Sequence, residues 1–464
     1  MSVTYHDSMV FVNRESELGQ LAEWWASPQA RPGLVWGRRR VGKTALLVEF
    51  ANRIGTRTIF HIGGTRTPQA ELSLLADRAA MVTGLERRFR DWDDALDRLA
   101  AQAAQTPILL VLDEFPELMR SSPELPGVIR AFLDRPEGTG SLRLLICGSA
   151  VRTMQSIQEY RAPLYGRFDL VLQVHPFRPH EAVLMLQDLS PADRALVYGI
   201  VGGTPLYLSW WQQHQSAIHN VSRLACQPGA RLLSEGELVL ATEAAEGEYP
   251  AAVLEAIAAG KTRHHEIADV LGADPSRTLR QLQQLRLVEQ LVPVTDQERR
   301  TRRKIYRIKD PFLAFYLGPL TRYRAEIEQG IGAGIATALL DAAAEHFGSV
   351  YEEAFRDHLR RRAATGEFGH RVVGVGPWWR EDGRDEIDAV VLAEPERTRI
   401  PVLAGEAKWA KSVSAGRVVE TLRRKAGRLT PDLGQLAYAV CAREKVTDTD
   451  RVNCIPITAA DVFG

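Results

Sequence analysis

The stretch LVWGRRRVGKTALLVEF, residues 34–50, constrains this chain more than any other segment. An apolar run suited to a buried strand leads into a loop bounded by Gly37 and Gly42, then into apolar positions that recur at helical spacing. A strand, a tight glycine turn and a helix in that order predict a parallel α/β sheet with a ligand at the strand's carboxyl end. The backbone N–H groups of Gly37, Arg38, Arg39, Arg40, Val41 and Gly42 can turn inward around phosphates, and the helix beginning at Lys43, Thr44 and Ala45 aims its positive dipole end at them. Lys43 then neutralises the β- and γ-phosphates and Thr44 ligates Mg²⁺, so ATP and Mg²⁺ are the expected ligands.

A second segment agrees in order and spacing. PILLVLDEFPEL, residues 107–118, is a buried parallel-strand pattern that ends in two acids. Asp113 suits Mg²⁺ through water, and Glu114 suits activation of the water that attacks the phosphate. A third strand pattern, LRLLICGSA, ends near Ser149. Taken alone, a serine after a strand is more often a helix cap.

The rest of the 464-residue chain is long enough for further units, at about 150 residues each. Its 58 basic and 58 acidic residues cancel. Any attraction to nucleic acid must therefore come from local clustering. Such clustering occurs in residues 246–310, where three short helices (around YPAAVLEAIAA, HHEIADVLG and RTLRQLQQLRLVEQ) precede a hairpin pattern, as in a winged helix-turn-helix. Between Ser276 and Lys309 there are 10 basic residues against 3 acidic. Arg299, Arg300, Arg302, Arg303 and Lys304 on the wing are candidates for DNA phosphate contacts, although charge runs on hairpins are also found simply solvated.

In the last third, DEIDAVVLAEPERTRIPVLAGEAKWA reads as two strands joined by a polar turn containing Pro395. Arg397 is equidistant from Asp388 and Glu406, so an antiparallel hairpin sets the two acids nearly opposite each other. Strand alternation puts Glu406 and Lys408 on one face. Two carboxylates and an ammonium so arranged can hold Mg²⁺ and position or deprotonate a water that attacks a phosphodiester. The same residues could also be a cross-sheet ion pair.

The segments FVNRESEL, GRRRVGKT, LVLDEF, ICGS, PLYGRF and VGGTPLYL, in that order, resemble the archaeal-type ATPases of the AAA+ class over residues 10–215. The resemblance implies that Ser149 senses the γ-phosphate or orients water, and that Phe11, Arg14 and Pro205 line the adenine pocket. It also makes Arg167 an arginine finger, acting in trans if the chain forms a homo-oligomer. From about residue 335 onward, the Ile-Asp and Gly-Glu-x-Lys-Trp signatures resemble the domain of unknown function often fused after such ATPases, and more broadly the PD-(D/E)XK nucleases. That resemblance adds Glu352, or its neighbour Glu353, as a further acid.

The expected organisation is a P-loop ATPase core (10–175), a helical lid (176–245), a winged helix (246–315), a linker (316–334) and an α/β restriction-endonuclease-like domain (335–464). The expected activity is ATP hydrolysis coupled to DNA binding and metal-dependent cleavage. The alternative is an ATP-driven regulatory switch, or a DNA-binding ATPase, whose nuclease-like domain is inactive. Cys147, Cys226, Cys441 and Cys454 lie far apart, which fits a reducing setting. No apolar run reaches the ~20 residues of a membrane span, and the first residues lack signal-peptide order. A cytoplasmic location without a membrane partner is expected.

Overall fold

The computed structural model describes residues 11–28, 31–135, 140–242, 249–395 and 398–464. Residue 10, the expected boundary at 245–246 and the turn centre at Arg397 lie outside them. The chain divides into two compact units, Met1–Pro176 and Phe177–Gly464.

The first unit is built on five strands: β1 (Gly33–Trp36), β2 (Arg57–Ile62), β3 (Ile108–Asp113), β4 (Leu142–Gly148) and β5 (Leu170–Gln173). They pair in the order β2-β3-β4-β1-β5, every pair parallel. Strands β1, β3 and β4 are buried along their whole length, which is why they read as continuous apolar runs rather than alternating ones. The helix Lys43–Ile54 buries Leu46, Leu47, Phe50 and Ala51 in a core shared with Val35, Leu109, Val111 and Leu145. This topology puts the carboxyl ends of β1, β3 and β4 side by side, and with them the glycine loop, Asp113 and Ser149.

The second unit begins with short helices, among them Pro191–Val201, Pro205–Ser209 and Arg231–Thr242. Three more, Pro250–Ala258, His264–Leu271 and Ser276–Gln284, are followed by the antiparallel hairpin of β6 (Val288–Leu291) and β7 (Ile305–Ile308). Three helices and then a hairpin is the order of elements that the helical and strand periodicities predict. The stretch 316–334, expected to be a linker, is instead helical in three short pieces. Its apolar Tyr316, Leu317, Leu320 and Ile327 are buried, and Tyr316 packs where Gly236 leaves room.

After the long helix Ala336–Ala364 come β8 (Val372–Trp379), β9 (Glu386–Ala393), β10 (Ile400–Ala407), β11 (Ser412–Ser414), β12 (Ala437–Ala442), β13 (Lys445–Thr447) and β14 (Cys454–Thr458). The main sheet runs β14-β12-β10-β9-β8. The β8, β9 and β10 pairings are antiparallel, while β10, β12 and β14 are parallel. Alternation along β9 sends Ala389 and Val391 toward Tyr351, Phe355 and Leu359 of the long helix. Val390 and Leu392 point to the other face, against Val419 and Leu422 of the helix Ala415–Ala426. The sheet is thus covered by helix on both faces.

Candidate functional site

At the P-loop, Gly37 leaves β1 so close to the chain after β5 that a Cβ there would overlap the Val174 carbonyl. Gly42 caps the following helix in left-handed geometry, at φ 90°, a conformation that an L side chain adopts only at a cost. These two glycines therefore fix the loop's shape, and Lys43 folds back over it. Its Nζ donates to the carbonyls of Gly37 at 3.0 Å and Arg38 at 2.9 Å, so an ammonium charge stands at the mouth of the loop. Arg39 and Ala45 are exposed, while Arg38 and Arg40 are half-buried.

Thr44 Oγ1 donates to Asp113 Oδ2 at 2.8 Å, although the residues are 69 positions apart. A hydroxyl and a carboxylate held together make an oxygen donor set of the kind Mg²⁺ takes. Glu114 has φ 48° and ψ 47°, a left-handed backbone that costs a non-glycine residue about 1–2 kcal/mol. Its carboxylate accepts from Ser149 Oγ at 2.9 Å, and its N–H donates to Asp113 Oδ1 at 2.8 Å. The strained residue is therefore pinned at the ends of two neighbouring strands. Gly63, absent from the sequence-derived candidates, supports this corner. Its N–H donates to Asp113 O at 2.8 Å, and a Cβ would approach the Glu114 carbonyl to 2.8 Å.

The four residues named from the family resemblance alone fall in different settings. Arg14 is 5% exposed and donates to the carbonyls of Val41 at 3.0 Å and His175 at 2.6 Å. It braces the loop from behind instead of presenting its guanidinium to a base. Phe11 packs on the core beneath the helix Lys43–Ile54, and Pro205 begins a helix in the second unit. Arg167 donates to Asp134 Oδ2 at 2.8 Å and is so held within its own chain.

In the second unit, the hairpin register Gly405↔Ala389 extends to set Glu406 opposite Asp388, and Asp388 Oδ2 accepts the Ala407 N–H at 2.9 Å. Glu406 accepts from Lys408 Nζ at 2.7 Å on one oxygen and from Lys425 Nζ at 3.3 Å on the other. Lys425, on the helix covering the opposite end of the site, carries no readable signal in the sequence. Burial, and then repulsion from Glu352 and Glu406, lifts Asp388 to about 7. Burial works against charge on Lys408 as well, but Glu406, Asp388 and Glu352 outweigh it and hold its pKa above the usual lysine value. Lys408 therefore stays an ammonium at neutral pH, suited to orienting an anion or donating a proton rather than to taking one. Among the described residues, no three His, Cys, Asp or Glu side chains are gathered as a ready metal cluster.

Glu352 and Glu353 differ in their partners. Glu353 is taken up by Arg307 at 2.8 Å, Arg356 at 2.9 Å and Arg360 at 2.6 Å, and these cations overcome burial to hold it at about 2. Glu352 is the acid that acts on Asp388, and burial raises its own pKa. Arg356, 1% exposed, also donates to the Asp388 carbonyl at 2.6 Å, locking helix to strand. The signature around Glu406 has packing reasons too. A Cβ on Gly405 would stand 2.7 Å from the Phe355 ring, and Trp409 meets Phe347 and Tyr351 edge-on at 5.4 and 5.3 Å.

On the wing, Arg299, Arg300 and Arg302 are exposed, and Lys304 is half-buried. Arg303 departs from its expected role. It pairs with Asp296 and donates to the Trp379 carbonyl at 2.7 Å, so it anchors the wing to β8. On the helix Ser276–Gln284, Arg277, Arg280 and Gln284, three and four residues apart, share an exposed face.

Residues 11–210 match the family described as an ATPase domain predominantly from Archaea, and residues 316–419 match one described as archaeal and bacterial proteins of unknown function. An uncharacterized protein of Methanocaldococcus jannaschii is 25% identical over 458 residues, covering 96% of this chain and 98% of that one. In fold, a Walker-type ATPase of Pyrococcus abyssi superposes with a TM-score of 0.51 at 20% identity, covering 66% of this chain and 96% of that one. The first part of the chain is thus a P-loop ATPase domain on a parallel sheet, and the chain is an ATPase. A separate α/β domain follows it. No helix among the described residues is long and apolar enough to cross a membrane.

Proposed function

We propose that this chain couples ATP hydrolysis to the binding of nucleic acid through its winged helix and to phosphodiester cleavage by the C-terminal domain. On this reading the segments are an ATPase core, a lid, a winged helix and a PD-(D/E)XK-like nuclease domain. The observation that carries the cleavage reading is the Asp388–Glu406 pair, set opposite each other on β9 and β10 with Lys408 bonded to Glu406.

In the ATPase core, Lys43 and the loop N–H groups of Gly37–Gly42 bind and orient the phosphates. Bound Mg²⁺, held through Thr44 and Asp113, would neutralise charge on the phosphoryl oxygens. Glu114 orients the attacking water and accepts its proton, and Ser149 keeps that carboxylate in place. In the C-terminal domain, Asp388 and Glu406 would supply oxygen donors for a divalent cation, with Glu352 close enough to act on the Asp388 carboxylate, and that ion would polarise the phosphodiester. Lys408 orients the scissile phosphate or protonates the leaving oxygen, in keeping with its raised pKa. Wild type and Asp388→Ala incubated with Mg²⁺ or Mn²⁺ and single-stranded, duplex and branched DNA provide the test. Metal-dependent products from wild type alone support the reading, and no product from any substrate defeats it.

A second reading draws on the two lysines that take up both oxygens of Glu406. Here the terminal domain grips without cutting and ATP controls assembly of a homo-oligomer. Nucleotide-dependent sedimentation without cleavage would favour it.

A further inference from the structure

The wing does not project into solvent. Its Val294 N–H donates to the Pro377 carbonyl at 2.8 Å, and a Cβ on Gly374 or Gly376 of β8 would come within 3.0 or 3.2 Å of Val294. With Arg303 bonded to the Trp379 carbonyl, the wing tip is fastened to the edge strand of the C-terminal sheet. Between them lies an open cleft of about 620 Å³ whose lining includes Arg300, Arg302 and Arg303 from the wing, Arg380 and Glu381 after β8, and Arg428 beyond the helix Ala415–Ala426.

Five arginines against one glutamate in one cleft is a costly gathering of like charge unless an anion completes it. Arg303 and Arg380 are partly satisfied, by Asp296 and by Asp382 and Asp385. Arg300, Arg302 and Arg428 are exposed and make no ion pair with any described residue. Two of these three unpaired guanidiniums stand on the wing and one on the opposite wall. The guanidinium fork matches phosphate oxygens bidentately, and an open cleft with two separate walls suits a chain of phosphates better than a single one.

We infer that this cleft is a phosphodiester-backbone site shared by the winged helix and the C-terminal domain, with Arg428 and Arg380 as its second wall. The inference rests on the reading that the chain binds nucleic acid, and it adds that the two modules hold one strand of backbone together. Arg303 shapes the cleft by docking the wing, while Arg300, Arg302 and Arg428 carry the phosphate contacts.

The test is fluorescence anisotropy of a labelled DNA duplex with the full chain across a salt series, comparing wild type with Arg302→Ala, Arg428→Ala and Glu381→Gln. Thermal midpoints serve as the check on folding. Each lost contact lowers the slope of log affinity against log salt by about 0.9 for duplex DNA. Arg302→Ala and Arg428→Ala should both show that drop and bind several-fold more weakly, and Glu381→Gln should bind more tightly. If Arg428→Ala binds with wild-type affinity and slope while Arg302→Ala weakens, the wing grips DNA but the shared cleft is wrong. If wild type binds no duplex even at low salt, the nucleic-acid reading itself fails. An acidic peptide that competes as well as DNA of equal charge would make the cleft a protein-docking surface and overturn the inference.

Discussion

Replacing Asp388 by asparagine should strengthen the fold while removing cleavage. Burial, then the neighbouring carboxylates Glu352 and Glu406, raises the Asp388 pKa to about 7, against about 3.9 for an aspartate in an unfolded chain. Between those values the unfolded chain releases a proton that the folded chain keeps, so native stability falls as pH rises through the window. Above pH ~7 the loss levels off at about 4 kcal/mol. The amide oxygen of an Asp388→Asn side chain can still accept the Ala407 N–H that now lies 2.9 Å from the carboxylate, so the substitution removes the charge and keeps the bond. Hydrogen exchange of peptides spanning β9 and β10, measured at matched pH, reads this locally in a chain of several domains. Protection in the variant should equal that of wild type near pH 4 and exceed it increasingly up to pH ~7. A pH-independent difference, or a variant that is less protected at pH 8, would refute the idea that a strained carboxylate cluster sits here.

Other outcomes follow from packing and hydrogen bonds. Gly405→Ala puts a Cβ 2.7 Å from the Phe355 ring and should cost about 1–3 kcal/mol in urea unfolding, as overpacked sites do. Arg356→Met breaks the bond to the Asp388 carbonyl and leaves Glu353, about a third exposed, with Arg307 and Arg360; a loss of about 1–3 kcal/mol is expected, read as a lower thermal midpoint. Ser149→Ala frees the Glu114 carboxylate, now held at 2.9 Å. It should slow phosphate release with ATP affinity kept, a split that steady-state kinetics will show.

What is legible in the sequence is local or periodic. The P-loop, the strand ending in Asp113 and Glu114, the order of three helices and a hairpin, and the β9–β10 register all follow from spacing within short windows. Roles set by distant partners could not be read in this way. Arg14 looks like a pocket residue until Val41 and His175 claim it, and Arg303 looks like its neighbours until the wing docks on β8. Lys425 reaches Glu406 only because a crossover helix returns over the sheet. The pairing of Glu353 was half legible, since Arg356 follows it by three residues on a helix. Arg307 from β7, another of its cations, lies 46 positions away and leaves no local trace. The stretch 316–334 carries enough Gly and polar residues to suggest a linker, and the burial of its Tyr316, Leu317, Leu320 and Ile327 depends on distant partners.

Phosphate release and strand cleavage measured in one reaction, for wild type, Glu114→Gln and Asp388→Ala, test most directly the claim that the chain carries two separate active sites. Glu114→Gln should lose phosphate release, and Asp388→Ala should lose cleavage while still hydrolysing ATP. An Asp388→Ala chain that cuts like wild type, or a Glu114→Gln chain that hydrolyses like it, would contradict the account.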